Sequence, residues 1–494
     1  GRRLRASGLL LHISSLPGPY YVGDLGPSAH ELLELLREAR QRYWQVLPVN
    51  PTAPEHDNSP YSALSAFAGN PLFVSIDGLV EEGLLARDEA ARFASGRGAR
   101  ADYRAAWEVR SRLLALARQR FRPSGDFDRF LDANEWWLGD YALYVALRER
   151  LGSDWASWPE ELRRRDRRAL EEWSRRLSDR IALEEFVQYE FFRQWAELRR
   201  HARRLGIRIM GDVPIYVSYD SADVWANPRI FKLGRDLRPL YVAGVPPDYF
   251  SRTGQLWGNP VYDWEELRRE RYRWWVLRMR HAASLFDAVR LDHFRGYVAY
   301  WEVPATETTA VNGRWVRGPG EELFRAVMAE ARSLELVAED LGYITPDVVE
   351  LRKKLGIPGT KVLQFAWDGN PANPYKPHNY ERDSFVYTGT HDNNTVVGWF
   401  YHEASPAARR EALRYMGYSS PPREVHWAFV RLAMESVADV SIFPAQDVLG
   451  LGPEARMNRP GTQSGNWLWR LDSLGGLWRA APRLREMATM YGRW

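Results

Sequence analysis

The chain has 494 residues, 45% hydrophobic and 27% charged, which is ample apolar sequence for a large core and far from the composition of a disordered protein. Its 68 basic and 64 acidic residues are interspersed and nearly cancel to a net charge of +4, which argues against a nucleic-acid partner. Cysteine is absent, excluding disulfides and thiolate metal sites, and no apolar run approaches the ~18 residues of a membrane helix.

The basic start is followed by an apolar stretch too short and polar for a signal peptide, so a cytoplasmic protein without a membrane partner is expected. Eight apolar runs of strand length, bounded by Gly, Pro or Asp, then follow in chain order: 8–13, 44–49, 207–217, 286–292, 334–339, 361–366, 384–390 and 440–445. Helical patterns lie between most of them, as at 28–41, 266–284, 321–333 and 346–355. Alternating strands and helices imply a parallel sheet, and eight such units predict an α/β fold of the (β/α)8 TIM-barrel type.

The spacing of the runs is uneven. Residues 51–200 are too many for one crossover, and their Arg-rich helical patterns predict a mainly helical inserted subdomain. A second insertion is expected at 218–285, including a loop at 248–257 that could act as a lid. The residues after 450 are too few for a separate C-terminal β domain, so one catalytic barrel spanning 1–494 is the expected organisation. The run Arg163-Arg164-Arg165-Asp166-Arg167-Arg168 reads as a solvated helix face.

Three acids close three of the apolar runs: Asp292 after Ala288-Val289-Arg290-Leu291, Glu339 after Leu336-Val337-Ala338, and Asp392 after Gly389-Thr390-His391. Catalytic groups of a barrel stand at the C-terminal ends of its strands. Side chains alternate along a strand, so Arg290 and Asp292 share a face, where the cation favours an ionised carboxylate. Retaining cleavage of a glycosidic bond needs such a carboxylate as nucleophile and a second, protonated carboxyl as acid. Asp340 points to the opposite strand face from Glu339 and is expected to serve as a cap or structural ion pair. No His-Glu-x-x-His pair occurs, and this chemistry requires neither metal nor cofactor.

The segments Gly211-Asp212-Val213-Pro214, Val289-Arg290-Leu291-Asp292-His293, Ala338-Glu339-Asp340-Leu341-Gly342 and Gly389-Thr390-His391-Asp392-Asn393 resemble the four short motifs of the α-amylase superfamily, in order. Ser59-Pro60-Tyr61, Ser65-Ala66-Phe67-Ala68-Gly69-Asn70-Pro71, Gly244-Val245-Pro246-Pro247-Asp248 and Thr253-Gly254-Gln255-Leu256-Trp257-Gly258-Asn259-Pro260 are similar to the amylomaltases, bacterial 4-α-glucanotransferases. That resemblance implies transfer of α-1,4-glucan segments between maltooligosaccharides through a covalent glucosyl-enzyme. It implies Asp292 as nucleophile, Glu339 as acid and base, and Asp392 as a grip on sugar hydroxyls. It further implies substrate-binding roles for Ser59, Tyr61, Asp212, Asp248, Gln255, Trp257, Arg290, His293, His391 and Asn458. At Glu55-His56-Asp57-Asn58 the chain departs from the family's pattern, at an accessory glucan groove. Two other readings remain at this point: a retaining α-glucan hydrolase of amylase type, and a non-catalytic glucan-binding protein.

Overall fold

The computed structural model describes residues 3–494. Its strands are β1 (Ala6–Leu10), β2 (Tyr43–Gln45), β3 (Arg208–Val213), β4 (Tyr241–Val245), β5 (Gln255–Pro260), β6 (Ala288–Leu291), β7 (Ala299–Pro304), β8 (Arg314–Arg317), β9 (Glu335–Ala338), β10 (Gly359–Val362), β11 (Ser384–Tyr387) and β12 (Val440–Pro444). Eight of these form one parallel sheet in the order β10-β11-β12-β1-β2-β3-β6-β9. Each of the eight apolar runs overlaps one of these strands, although β1, β2 and β10 begin one or two residues before their runs. The sheet curls until its two edges meet: Ala338 N–H donates to the Pro358 carbonyl, and Thr360 Oγ1 to the Ala338 carbonyl, both at 2.8 Å. Asp340 reinforces that seam, accepting Thr360 N–H at 2.8 Å and facing Arg352 at 3.3 Å, as its strand face predicts. The result is the expected (β/α)8 barrel.

Helices cover the outside because the strands are buried on both faces; β1, β6 and β11 have no exposed residue. Trp195 of the helix Ser178–Arg204 illustrates the seal: it is buried, and its Nε1 donates to the Leu285 carbonyl at 2.8 Å. Gly211 in β3 is required by close packing, since a Cβ there would meet the Phe286 ring at 2.5 Å.

Between β2 and β3 lie the long helices Tyr103–Arg120, Gly125–Leu151 and Ser178–Arg204 with several shorter ones. The arginine run at 163–168 is not one helix face. It breaks at Arg165, whose φ of +60° ends the turn Glu160–Arg163 before Arg167–Arg176 begins. Arg165 earns that bend by stacking on Trp225 at 4.4 Å and pairing with Asp140 at 2.6 Å. The pattern at 266–284 likewise divides, at Arg271 and Tyr272 with φ of +58° and +59°.

The stretch 218–285 contributes a feature that its local pattern does not announce. β4 and β5 join β7 and β8 in a separate antiparallel sheet ordered β5-β4-β7-β8. β5 is half exposed and holds Gly, Trp and Pro, so it reads as loop; pairing with β4 makes it a strand. Among the described residues no helix is long and apolar enough to cross a membrane.

Candidate functional site

Arg290 is the hinge of the site. It is buried on β6, and β3 pairs with β6 so that Asp212 lies directly beside it. Its Nη1 reaches Asp212 Oδ2 and Asp292 Oδ1, each at 3.1 Å, while Nη2 lies 3.5 Å from Glu339 Oε1. Backbone bonds hold these carboxylates at one end of the barrel. Asp292 N–H donates to the Val213 carbonyl at 3.1 Å, Glu339 N–H to the Leu291 carbonyl at 3.1 Å, and Phe294 N–H to the Glu339 carbonyl at 3.0 Å. The ladders of β3, β6 and β9 thus continue just past the regular strands, and the acids project where the strands stop.

One cation serves three carboxylates, so their charge is only partly compensated. Burial pushes the Glu339 carboxyl well above the ordinary glutamate range; Arg290 opposes the rise and the charge of Asp292 adds to it. Burial also raises Asp212, against the pull of Arg290 and of the hydrogen bond from Tyr61. Burial disfavours the charge of Arg290 itself, but Asp212 and Asp292 more than restore it and its pKa is raised.

Asp392 closes the opposite side. Asn458 Nδ2 donates to its Oδ1 at 2.8 Å, Arg456 Nη2 donates to its carbonyl at 2.7 Å, and His391 Nε2 lies 3.3 Å from Oδ1. Tyr61 joins the two halves: its ring stacks on His391, and its hydroxyl donates to Asp212 Oδ2. Burial lowers the pKa of His391, and that of His293 to about 4, so both imidazoles are neutral at ordinary pH. His293 is held in the left-handed region at φ +52°, immediately after Asp292, a conformation costly for a residue with a Cβ.

The remaining predicted residues are placed less directly. Trp257 of β5 meets His293 edge-on, with centroids 4.8 Å apart, and donates from Nε1 to Gln255 Oε1 at 3.2 Å. Asp248 accepts Phe250 N–H at 2.9 Å and Ser251 N–H at 2.7 Å, so its carboxylate shapes its own turn and does not join the acids on Arg290. Beyond it, Tyr249 and Phe250 are 96% and 94% exposed at the loop tip. Ser59 Oγ accepts Tyr61 N–H at 3.2 Å and supports that residue. His56, at the departure from the family's pattern, binds Asp220 at 3.0 Å next to Arg148.

Two contributors carry no motif or periodicity. Arg456 is described above, and Trp467 packs against both Tyr61 and His391 with centroids 5.9 and 6.1 Å away. Its φ of +64° was the only local oddity, and the sequence does not display it.

Residues 11–475 match the model of the glycoside hydrolase 77 family, described as 4-alpha-glucanotransferase. The 4-alpha-glucanotransferase of Aquifex aeolicus is 47% identical over 490 residues, covering 99% of this chain and 100% of that protein. That of Thermus thermophilus is 48% identical over 480 residues, covering 94% and 95%. The solved structure of an amylomaltase from Streptococcus agalactiae in complex with acarbose superposes with a TM-score of 0.94 at 36% identity, over 99% of each chain. The chain belongs to the glycoside hydrolase 77 family of 4-alpha-glucanotransferases.

Proposed function

We propose that this 4-alpha-glucanotransferase moves α-1,4-glucan segments between maltooligosaccharides by two displacements at one anomeric carbon. Asp292 attacks that carbon while Glu339 gives its proton to the departing glycosidic oxygen. The old C–O bond breaks, one segment leaves with the proton, and the other is β-linked to Asp292. Glu339, now a carboxylate, takes the proton of an incoming 4-hydroxyl as that oxygen displaces Asp292. Two inversions restore the α-linkage.

The observation that carries this reading is the single guanidinium that touches both Asp292 and Glu339. It supports reading Asp292 as nucleophile and Glu339 as acid of one site, and the upward shift that burial gives Glu339 favours the proton that the first step needs. Asp392 and Asn458, with the neutral His293 and His391, offer hydrogen bonds to hydroxyls of the transferred sugar. Tyr61 walls the same sugar. Asp212 holds Arg290 and Tyr61 in place. The loop 248–257, with Gln255 and Trp257 at its base, covers the groove and favours an acceptor hydroxyl over water. We assign residues 51–200 and 218–285 as the insertions that build the groove's walls on one barrel.

Incubation with maltotriose tests this. Longer and shorter oligomers with few new reducing ends are the expected outcome. A steady rise in reducing ends matching substrate loss would make the enzyme a hydrolase, and binding without turnover would make it a glucan-binding protein.

A further inference from the structure

The rim beside Glu339 carries aromatic rings that the reaction above does not use. Tyr343, in the loop that follows Glu339, is 86% exposed, and Trp315 on β8 is 43% exposed. Exposed rings that are grouped mark a candidate ligand surface, where singly scattered ones do not. These two are also held in place. Arg295, in the turn after Asp292 and His293, lies over Trp315 at 4.2 Å, and its Nη1 donates to the Tyr343 carbonyl at 3.4 Å. Trp301 meets Trp315 edge-on at 5.3 Å, and the Tyr343 loop is tied by Gly342 N–H donating to Tyr375 at 3.1 Å. One arginine from the loop after Asp292 therefore links the main chain of the Tyr343 loop to a ring of the antiparallel sheet.

Arg317, two residues after Trp315 on β8, lines an open cavity of about 370 Å³, within the roughly 300–1,000 Å³ usual for small-molecule sites. The cavity lies between the first turn of the helix Glu321–Glu330 and the length of the helix Pro346–Lys354, from Asp347 to Lys354. Glu321, Glu322, Asp347 and Glu350 line it against Arg317 and Lys354. With acids outnumbering bases, an anionic ligand is disfavoured. A neutral ligand rich in hydroxyls, with apolar ring faces to stack and polar edges to pair, matches both the rings and the lining.

We infer that Tyr343, Trp315 and Arg295 form an outer subsite for the distal sugars of a long acceptor glucan, leading into this cavity. The inference rests on the assignment of Glu339 as acid and base: that group acts on the oxygen between donor and acceptor, so the acceptor extends on its side of the groove. The subsite is separate from the lid at 248–257 and would set preference among acceptors by length, leaving the chemical step alone.

The test compares Tyr343→Ala, Trp315→Ala and the double variant with wild type, using maltotriose as donor and either glucose or maltohexaose as acceptor. Transfer to glucose should stay within about twofold of wild type, while KM for maltohexaose rises at least about fivefold and products shorten. An unchanged KM for maltohexaose, or an equal loss with both acceptors, overturns the subsite. Calorimetric titration of maltohexaose into Asp292→Asn, with and without the two ring substitutions, reads binding without turnover. Equal affinities there overturn the subsite even if the proposed catalytic roles hold. If wild type forms no new oligomers from maltotriose while the rings still govern binding, it is the catalytic reading that fails.

Discussion

The hydroxyl of Tyr61 donates to Asp212 Oδ2 at 2.7 Å while its ring lies on His391, centroids 5.0 Å apart and planes within 14°. One side chain thereby ties the carboxylate that orients Arg290 to the histidine that precedes Asp392. Removing the hydroxyl in Tyr61→Phe leaves a buried carboxylate with one donor fewer. Stability should fall by about 1–3 kcal/mol, read by urea denaturation. Transfer should fall as well, through a displaced Arg290, although Tyr61 gives up no proton in the reaction. Unchanged turnover would show that Asp212 is held adequately by Arg290 alone.

Asp292→Asn, at the proposed nucleophile, keeps the side chain's volume and a hydrogen-bond partner for Arg290. The fold should remain, since Arg290 retains Asp212 and Glu339. Maltotriose disproportionation should drop by at least about 10⁴-fold, because an amide does not displace a glycosidic oxygen. Near-normal turnover by this variant would remove Asp292 from its role.

Glu339 links activity to stability in opposite directions. Its folded pKa is raised by burial above the ordinary 4.5 of a glutamate. Between those two values the native state holds a proton that the unfolded chain has released, so stability declines as pH rises from about 4.5 toward the folded pKa. Glu339→Gln cannot ionise. It should abolish transfer yet raise the melting temperature at pH 7, and the gain should vanish near pH 4. A melting temperature below wild type at both pH values would contradict this. For the active enzyme, the same ionisation predicts an alkaline limb in the pH profile of kcat/KM that belongs to the acid.

Arg493 offers a stability prediction far from the chemistry. It is fully buried and fans its guanidinium onto main-chain carbonyls, with Met434 at 2.7 Å, Ala6 at 2.8 Å, Ala438 at 2.9 Å and Asp439 at 3.1 Å. These carbonyls belong to the start of β1, the end of the helix Val425–Glu435 and the approach to β12. Arg493→Met preserves the stem and removes every donor, so a loss of at least about 3 kcal/mol is expected in denaturant titration. KM and kcat of the folded fraction should not change.

Much of this arrangement is legible in the chain because its causes are local. A strand of a buried parallel sheet announces itself by a short apolar run between breakers, and all eight runs became barrel strands. Asp292, Glu339 and Asp392 could be singled out because a strand's end in such a barrel is also the catalytic end, so position along the chain translates into position in space. The alternation of side chains correctly set Arg290 with Asp292 and Asp340 away from Glu339.

Tertiary structure decided the rest. The antiparallel sheet β5-β4-β7-β8 depends on partners drawn from 241 to 317, and no local period reveals such pairing. Asp248 Oδ1 is held by two N–H groups of its own turn, and Trp467 and Arg456, which no motif marks, support Tyr61, His391 and Asp392. Above all, the upward shift of the Glu339 pKa comes from loss of water and from the charges around it. Desolvation sums over every group that packs nearby, whatever its distance along the chain, so it exists only once the barrel has closed.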